Sequence, residues 1–185
     1  MNDEQGRRVR DALERFEGPL LLYAERLLRD PHGAQDVVQE AFLRLLTTDG
    51  ATAGIRLPGW LYAVVRNLAF DRLRRERWME RSDSPALDAR LGTDDPPARA
   101  ALGEQAAAAL RALESLPEKQ REALRLRLQH GLSYKEIAEV MDATVSHVGV
   151  LIHEGLKALR RRFGVVEPVP APARPVPGVS RKETL

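Results

Sequence analysis

The chain has 185 residues, 30% of them charged and 5% aromatic, and its formal net charge is only +2. That composition favours helices over sheets, and any surface for nucleic acid would have to come from the placement of cations rather than from their total. The sequence contains no cysteine, which excludes disulfides, thiolate zinc sites and a cysteine nucleophile. A polar N-terminus and the lack of an apolar run of roughly 20 residues predict a cytoplasmic protein with no signal peptide and no membrane helix.

Helical patterning divides the chain into two blocks. Residues 1–81 and 100–164 carry helix periodicity, and residues 82–99 between them contain three prolines, several acids and little periodicity. We therefore predict an all-α fold in which two small helical domains are joined by a flexible linker. Residues 165–185 carry proline at nearly every second position over their first half, which is incompatible with a helix and predicts an extended, disordered tail.

The first block is interrupted at residues 30–33 and 47–59, and the helix predicted between these breaks has two different faces. Its apolar face, which we expect to be buried, consists of Val37, Val38, Ala41, Phe42 and Leu45. The opposite face consists of Asp36, Gln39, Glu40 and Leu43. A leucine among acids and amides fits either a solvated face with one exposed apolar residue or a surface for a partner, and composition alone favours the first.

A second helix, predicted over Trp60–Trp78, is strongly basic on one side. Its core stripe is expected to be Leu61, Val64, Val65 and Leu68. The opposite side carries Arg66, Asn67, Phe70, Arg74 and Arg77. Guanidinium groups interleaved with an aromatic ring suit nucleic acid, because cations neutralise phosphates and planar groups stack on unpaired bases. An arginine-rich helix end in solvent would show the same pattern, so the residues by themselves leave both interpretations open.

The second block has the signals of a helix-turn-helix. One helix begins near Pro117 and ends before Gly131, and a capping box of Ser133 and Glu136 opens a short second helix. Thr144 can cap the final helix, whose apolar stripe consists of Val148, Leu151, Ile152, Leu156 and Leu159. Two helices joined by three or four residues favour a DNA-binding motif over an ordinary helical hairpin.

Taken together, three segments resemble the extracytoplasmic-function group of bacterial sigma-70 factors. Residues 33–46, "GAQDVVQEAFLRLL", resemble the region 2 helix that docks on the RNA polymerase clamp. Residues 57–77, "LPGWLYAVVRNLAFDRLRRER", resemble the part of region 2 that opens and reads the −10 element. Residues 116–163 resemble region 4, which binds the −35 element and the polymerase flap. The resemblance implies a region 2-like domain (1–81), a linker (82–99) and a region 4-like domain (100–164).

The resemblance also implies roles for individual residues. The polymerase-docking face would comprise Asp36, Gln39, Glu40, Leu43 and Arg44. Contacts to −10 DNA would come from Arg66, Asn67, Phe70, Asp71, Arg72, Arg74, Arg75 and Arg77. Contacts to −35 DNA would come from Ser133, Tyr134, Lys135, Thr144, Ser146, His147, Gly149, Val150, His153, Lys157, Arg160 and Arg161. The implied partners are core RNA polymerase, promoter DNA and, as in many members of the group, an anti-sigma factor; no cofactor, metal or catalytic residue is implied.

The final helix departs from the family pattern on the face that should enter the groove. Gly149, Leu151 and Glu154 stand where basic residues are common in the family, and among the outward residues only Lys157 is a firm cation. Small side chains can approach bases closely or touch a thymine methyl, whereas the basic residues 160–162 can hold phosphates. We therefore expect this helix to read DNA by shape and small contacts more than by bidentate pairs.

Two other functions remain open at this point. A stand-alone helix-turn-helix regulator would use the second block for DNA but leaves the basic helix of the first block unexplained. A sigma-like interaction protein would bind a regulator without starting transcription. An enzyme is the poorest interpretation, because the four histidines lack metal-site spacing and no nucleophile–base pair is legible.

Overall fold

A computed structural model of the chain describes residues 3–47, 57–83 and 104–164. All regular structure in these ranges is helical, in agreement with the predicted fold class. The helices are α1 (Asp3–Leu28), α2 (Pro31–Thr47), α3 (Leu57–Asp83), α4 (Glu104–Glu114), α5 (Glu118–Leu128), α6 (Tyr134–Met141) and α7 (Val145–Arg162). None of them is long and apolar enough to cross a membrane. The disordered tail predicted for residues 165–185 lies outside the described residues, as does most of the predicted linker.

Helices α1, α2 and α3 pack on one another to form the first domain. The predicted apolar face of α2 is confirmed, since all five of its residues are buried. The break before α2 is shorter than predicted, because the helix already begins at Pro31, a residue whose fixed φ suits the first helical turn. The carboxylate of Asp30 accepts a hydrogen bond from the backbone N–H of His32 at 3.1 Å and so satisfies a donor in that first turn.

Helices α5, α6 and α7 form the predicted helix-turn-helix, with α4 packed on α7. Ser133 and Glu136 make the capping box at the start of α6, and Thr144 caps α7 by accepting from the backbone N–H of His147 at 3.1 Å. Asp142 turns the chain between α6 and α7 in the left-handed conformation, with φ of 50°. The local sequence signals therefore predicted this motif correctly.

Helix α3 is longer than predicted, and it packs on helices of both domains. It runs to Asp83, two residues into the segment predicted as linker. Leu61 and Val65 of the predicted stripe are buried and Val64 and Leu68 are half-buried. The N-terminal part of α3 packs against α6 so closely that a Cβ on Gly59 would lie 2.9 Å from Cγ of Glu136. The two helical domains therefore contact each other, a point that the sequence left undetermined.

Candidate nucleic-acid interface

The outward face of α2 presents the five residues predicted to dock on the polymerase. Leu43 is 56% exposed; Asp36, Gln39 and Arg44 are exposed as well, and Glu40 is half-buried. Arg44 donates from Nε to the carboxylate of Glu40 at 3.0 Å, one turn away on the same helix. An exposed leucine surrounded by charged and amide groups has the character of a small protein-docking surface.

The middle of α3 presents a basic surface, which we call the −10 face. Its fully exposed members are Asn67, Asp71, Arg74, Arg75 and Arg77. A cleft of about 210 Å³ opens on this surface, lined by Phe70, Leu73, Arg74 and Arg77. An aromatic ring and guanidinium groups around a shallow cleft are the groups on which an unstacked base can lie.

Arg72, predicted to extend the DNA-binding surface, takes part in an ion-pair cluster between α2 and α3. Its guanidinium donates to Asp36 at 3.0 Å, to Asp30 at 3.2 Å and to Glu76 at 3.2 Å. It also packs over Gly33, where a Cβ would lie 2.8 Å from the guanidinium carbon. Arg72 therefore connects α2 to the basic part of α3.

The outward side of α6 and α7 forms the −35 face, and most of its predicted members are exposed. The exposed ones are Tyr134, Lys135, Thr144, Ser146, His147, Val150, His153, Arg160 and Arg161. Ser133, Gly149 and Lys157 are half-buried, Ser133 because its hydroxyl is used in the capping box. A Cβ on Gly149 would meet nothing nearer than Cε2 of Tyr134, at 3.9 Å, so the glycine leaves an open notch in the recognition helix.

Arg127, at the end of α5, also reaches the −35 face, although it is not among the residues predicted there. Its guanidinium carbon lies 5.6 Å from the ring centre of Tyr134, and it donates to the carbonyl of Leu132 at 3.0 Å. The sequence does show a cation shortly before Gly131, where α5 was predicted to end. Only the fold shows that this cation lies beside Tyr134. The structure thus adds a cation at the edge of the −35 face.

The contact between the domains buries another predicted −10 residue. Arg66 donates from Nε to the carboxylate of Glu122 on α5 at 2.8 Å, and the two side chains are only 17% and 10% exposed. The hydroxyl of Tyr23 donates to the same carboxylate at 2.8 Å. Burial, reinforced by the adjacent Glu122 carboxylate, raises the pKa of Tyr23, which keeps its hydroxyl protonated. The guanidinium of Arg66 lies 4.6 Å from the ring centre of Phe70.

His130 forms a second part of this contact. The hydroxyl of Tyr62 on α3 lies 2.7 Å from Nδ1 of His130, and Arg26 on α1 donates to the side chain of Gln129. Burial, together with the charges of Arg26 and Arg125, lowers the pKa of His130 to about 4, so the ring is neutral near pH 7. We call the residues Tyr23, Tyr62, Arg66, Glu122 and His130 the interdomain contact.

Comparison with known proteins assigns both domains to one family. The model of sigma-70 region 2 matches residues 12–79, and the model of sigma-70 region 4 matches residues 106–159. The chain is also 34% identical to the RNA polymerase sigma-H factor of Pseudomonas aeruginosa over 155 residues, which cover 78% of this chain and 80% of that protein. The chain belongs to the sigma-70 family. Within it, the relatives are sigma factors of the extracytoplasmic-function group.

Two further comparisons agree with this assignment. This sigma factor is 29% identical to the extracytoplasmic-function sigma factor SigW of Bacillus subtilis, over 83% of this chain and 87% of that protein. Its fold is similar to that of the sigma factor RpoE from Bartonella quintana, solved in complex with the anti-sigma factor NepR. That similarity has a TM-score of 0.57 at 21% identity and covers 84% of this chain and 96% of that one. The first and second domains are accordingly called region 2 and region 4 below.

Proposed function

We propose that this sigma factor binds core RNA polymerase and directs it to promoters by recognising −35 duplex and capturing −10 DNA. The observation that carries the proposal is that the chain matches region 2 and region 4 of sigma-70 factors, in that order. The residues proposed for docking, for −10 DNA and for −35 DNA are grouped on α2, on α3 and on α6 with α7, respectively. Its place of action is the cytoplasm, where polymerase and promoters meet. No catalytic group of its own is required.

Docking on the polymerase is assigned to the outer face of α2. Asp36, Gln39, Glu40, Leu43 and Arg44 all lie on one side of that helix, with their apolar neighbours buried behind them. Leu43 supplies exposed apolar area at the centre, and the charged groups around it supply orientation. Arg72 holds Asp36 in place from α3, so that the docking face has a fixed geometry relative to the −10 face.

Opening of the promoter is assigned to the −10 face of α3. Exposed arginines neutralise phosphates of the non-template strand, and the cleft beside Phe70 and Arg74 accepts an extruded base. Extrusion costs a few kcal/mol, roughly the ~1–3 kcal/mol per base that stacking on aromatic or guanidinium planes returns. Binding of the unpaired strand thus offsets the cost of opening the duplex.

Duplex binding is assigned to the −35 face of region 4. The basic residues at the end of α7, together with Lys135 and Arg127, lie where they can contact phosphates on either side of the recognition helix. Gly149 and Val150 allow the helix to approach the base edges closely, and Val150 offers an apolar contact for a thymine methyl. The proposal also includes an anti-sigma factor as a partner, the kind of protein with which the structurally similar RpoE was crystallised.

Run-off transcription with purified core polymerase on fragments of the source genome tests the proposal. A defined start site that requires the added protein is expected, and mapping it gives the sequences of both promoter elements. A regulator without sigma activity would bind DNA but yield no new start site with core polymerase alone. An interaction protein would bind neither core polymerase nor a specific fragment.

Substitution of Leu43 tests the docking surface. Leu43→Asp is expected to weaken binding to core polymerase roughly tenfold, because it replaces apolar contact area by a charge that must be desolvated. Leu22→Asp, at an exposed leucine on α1, is the matched control and should leave the affinity unchanged. Equal affinities of wild type and Leu43→Asp, measured by fluorescence anisotropy, would remove Leu43 from the interface.

A further inference from the structure

One cation of the −10 face is not available to DNA in this structure. Both Nε and Nη2 of Arg66 point at the carboxylate of Glu122, at 2.8 and 3.5 Å. Glu122 lies on α5, in region 4, and its carboxylate occupies the position beside Arg66 that a phosphate or a base edge would need. A carboxylate and a phosphate compete for the same guanidinium donors, so Arg66 cannot serve both at once.

Region 4 is held in this position by several hydrogen bonds and by close packing. Tyr23 also bonds to Glu122, and Tyr62 is paired with His130. The side chains of Tyr23 and Tyr62 are almost fully buried, with ring centres 5.3 Å apart. At the other end of the contact, α3 approaches α6 at Gly59 and Glu136 without room for an added Cβ. Separating one partner of a buried ion pair leaves an uncompensated charge, so a partly opened contact is unfavourable. We therefore expect all the bonds of the interdomain contact to form and break together.

Most of the −35 face remains exposed in this arrangement. Val150 is 58% exposed, and Tyr134, Ser146 and His153 are exposed as well. The residues that would enter the groove therefore remain accessible while Arg66 is covered. We call this arrangement, in which region 4 packs on region 2, the closed arrangement. It covers a residue proposed to bind −10 DNA but leaves most of the residues proposed to bind −35 DNA exposed.

We propose that α5 is an intramolecular competitor of −10 DNA, with Glu122 acting as the group that occupies Arg66. In the closed arrangement the sigma factor binds −35 duplex but not the −10 strand, and separation of region 4 from region 2 exposes the −10 face. This inference rests on the proposed function. The apparent affinity for −10 DNA is then the intrinsic affinity multiplied by the open fraction, so a sigma factor that is about nine-tenths closed binds that strand about tenfold more weakly than an open one.

The first test removes the competing charge in the full-length protein. The probe is a single-stranded oligonucleotide carrying the −10 element found by transcription mapping. Glu122→Gln is expected to raise its affinity several-fold and to leave the affinity for a −35 duplex unchanged. Glu139→Gln is the matched control, because it makes the same change in net charge on an exposed residue of region 4. Equal gains for the two variants would show an effect of net charge and overturn the proposal.

The second test locks the contact by a covalent bond, which a chain without cysteine permits. The Cβ positions of Gly59 and Glu136 lie 3.1 Å apart, a few tenths of an ångström less than the about 3.5–4.5 Å found in disulfides. A protein carrying Gly59→Cys and Glu136→Cys is therefore expected to form an intramolecular disulfide on oxidation, detected by mass spectrometry. Failure of this bond to form in the folded, monomeric protein would mean that the closed arrangement is not populated.

The oxidised and reduced forms of this one variant then provide their own control. Oxidation is expected to reduce binding of the −10 oligonucleotide at least tenfold and to abolish run-off transcription, while binding of −35 duplex persists; reduction should restore both lost activities. Unchanged −10 binding by the locked protein would overturn the competitor role. A failure of the proposed function is distinguishable, since the wild-type protein would then direct no start site at all.

Discussion

The two helices proposed to contact DNA, α3 and α7, use their charges in different ways. Helix α3 has many arginines, but Arg66 is paired with Glu122, Arg72 with three carboxylates and Arg74 with Asp71. Helix α7 has four cations, all in its C-terminal half, and its last-turn arginines and its outward face are exposed. The number of basic residues on a helix is therefore a poor measure of its DNA-binding surface, because the folded chain can use the same residues for its own structure.

The largest expected effect comes from the arginines of α3 that remain exposed. Arg74→Glu combined with Arg77→Glu is expected to lower the rate of promoter opening on the order of 100-fold, because both line the cleft beside Phe70, where an unpaired base can stack, and stacking is worth ~1–3 kcal/mol per base. Binding to core polymerase should be largely intact. Permanganate footprinting measures the opening, and a parallel loss of core binding would contradict a role confined to DNA.

A cation placed at Gly149 would add positive charge to the N-terminal half of α7, where that helix has none. Gly149→Arg is expected to raise the affinity for −35 duplex roughly tenfold, since one well-placed arginine contact is worth ~1–3 kcal/mol. The notch has room for it, because only Tyr134 comes within 4 Å of the new Cβ. Gly149→Ala is the matched control and should change little. An unchanged affinity for Gly149→Arg in a gel-shift assay would place this face outside the groove.

Lowering the pH should weaken the interdomain contact, which covers part of α3 but not the outward face of α7. The pKa of His130 is about 4 in the closed arrangement, below the ordinary ~6.5, so the closed state is favoured fully above about pH 6.5 and loses that stabilisation as the pH falls toward 4. Tyr62, Tyr23, Arg26 and Arg125 face the ring from α3, α1 and α5. None of them offers a negative charge that would favour a protonated ring.

This effect is measurable as a difference between two proteins. The free energy of unfolding in urea is expected to fall by about 1 kcal/mol more between pH 7 and pH 5 in wild type than in His130→Gln, after allowance for the partial exposure of the ring. The other three histidines are common to both proteins and cancel in the comparison. Identical pH profiles of the two proteins would mean that His130 has the same pKa in the folded and in the unfolded protein, which would contradict this prediction.

The smallest expected effect is that of Arg72, although it belongs to the most basic part of α3. Arg72→Ala should lower the affinity for the −10 oligonucleotide less than about twofold, because its donors already point at Asp30, Asp36 and Glu76 and exposed ion pairs contribute only ~0–1 kcal/mol. Arg75→Ala, at an exposed arginine of the same helix, is expected to lower it more. A larger loss for Arg72→Ala would restore Arg72 to the DNA-binding set.

Sequence periodicity predicted well the features that depend on near neighbours along the chain. The buried face of α2, the capping box of Ser133 and the cap at Thr144 are all determined within a few residues, where a 3.6-residue repeat and side-chain hydrogen bonds decide the structure. The early start of α2 at Pro31 was missed because "DPHG" was interpreted as a break. A proline there is equally compatible with a first helical turn.

Sequence periodicity does not predict contacts between residues that are far apart along the chain. The sequence correctly placed Arg66 and Arg72 on the side of α3 away from its own stripe, but their partners Glu122 and Asp36 come from other helices. Nothing in the local pattern shows that region 4 covers Arg66 or that Arg127 reaches Tyr134. The roles assigned to the individual DNA- and polymerase-binding residues remain predictions for the experiments above.

The close approach of α5 and α7 has a mechanical consequence. A Cβ on Gly155 would lie 2.7 Å from Leu124, so the two helices are packed without space between them, and α5 cannot shift independently of the recognition helix. If the proposed function holds, Glu122 is expected to move together with α7 when that helix binds upstream duplex, because α5 and α7 are tightly packed. The length of the spacer between the two promoter elements is then expected to influence how far Glu122 lies from Arg66.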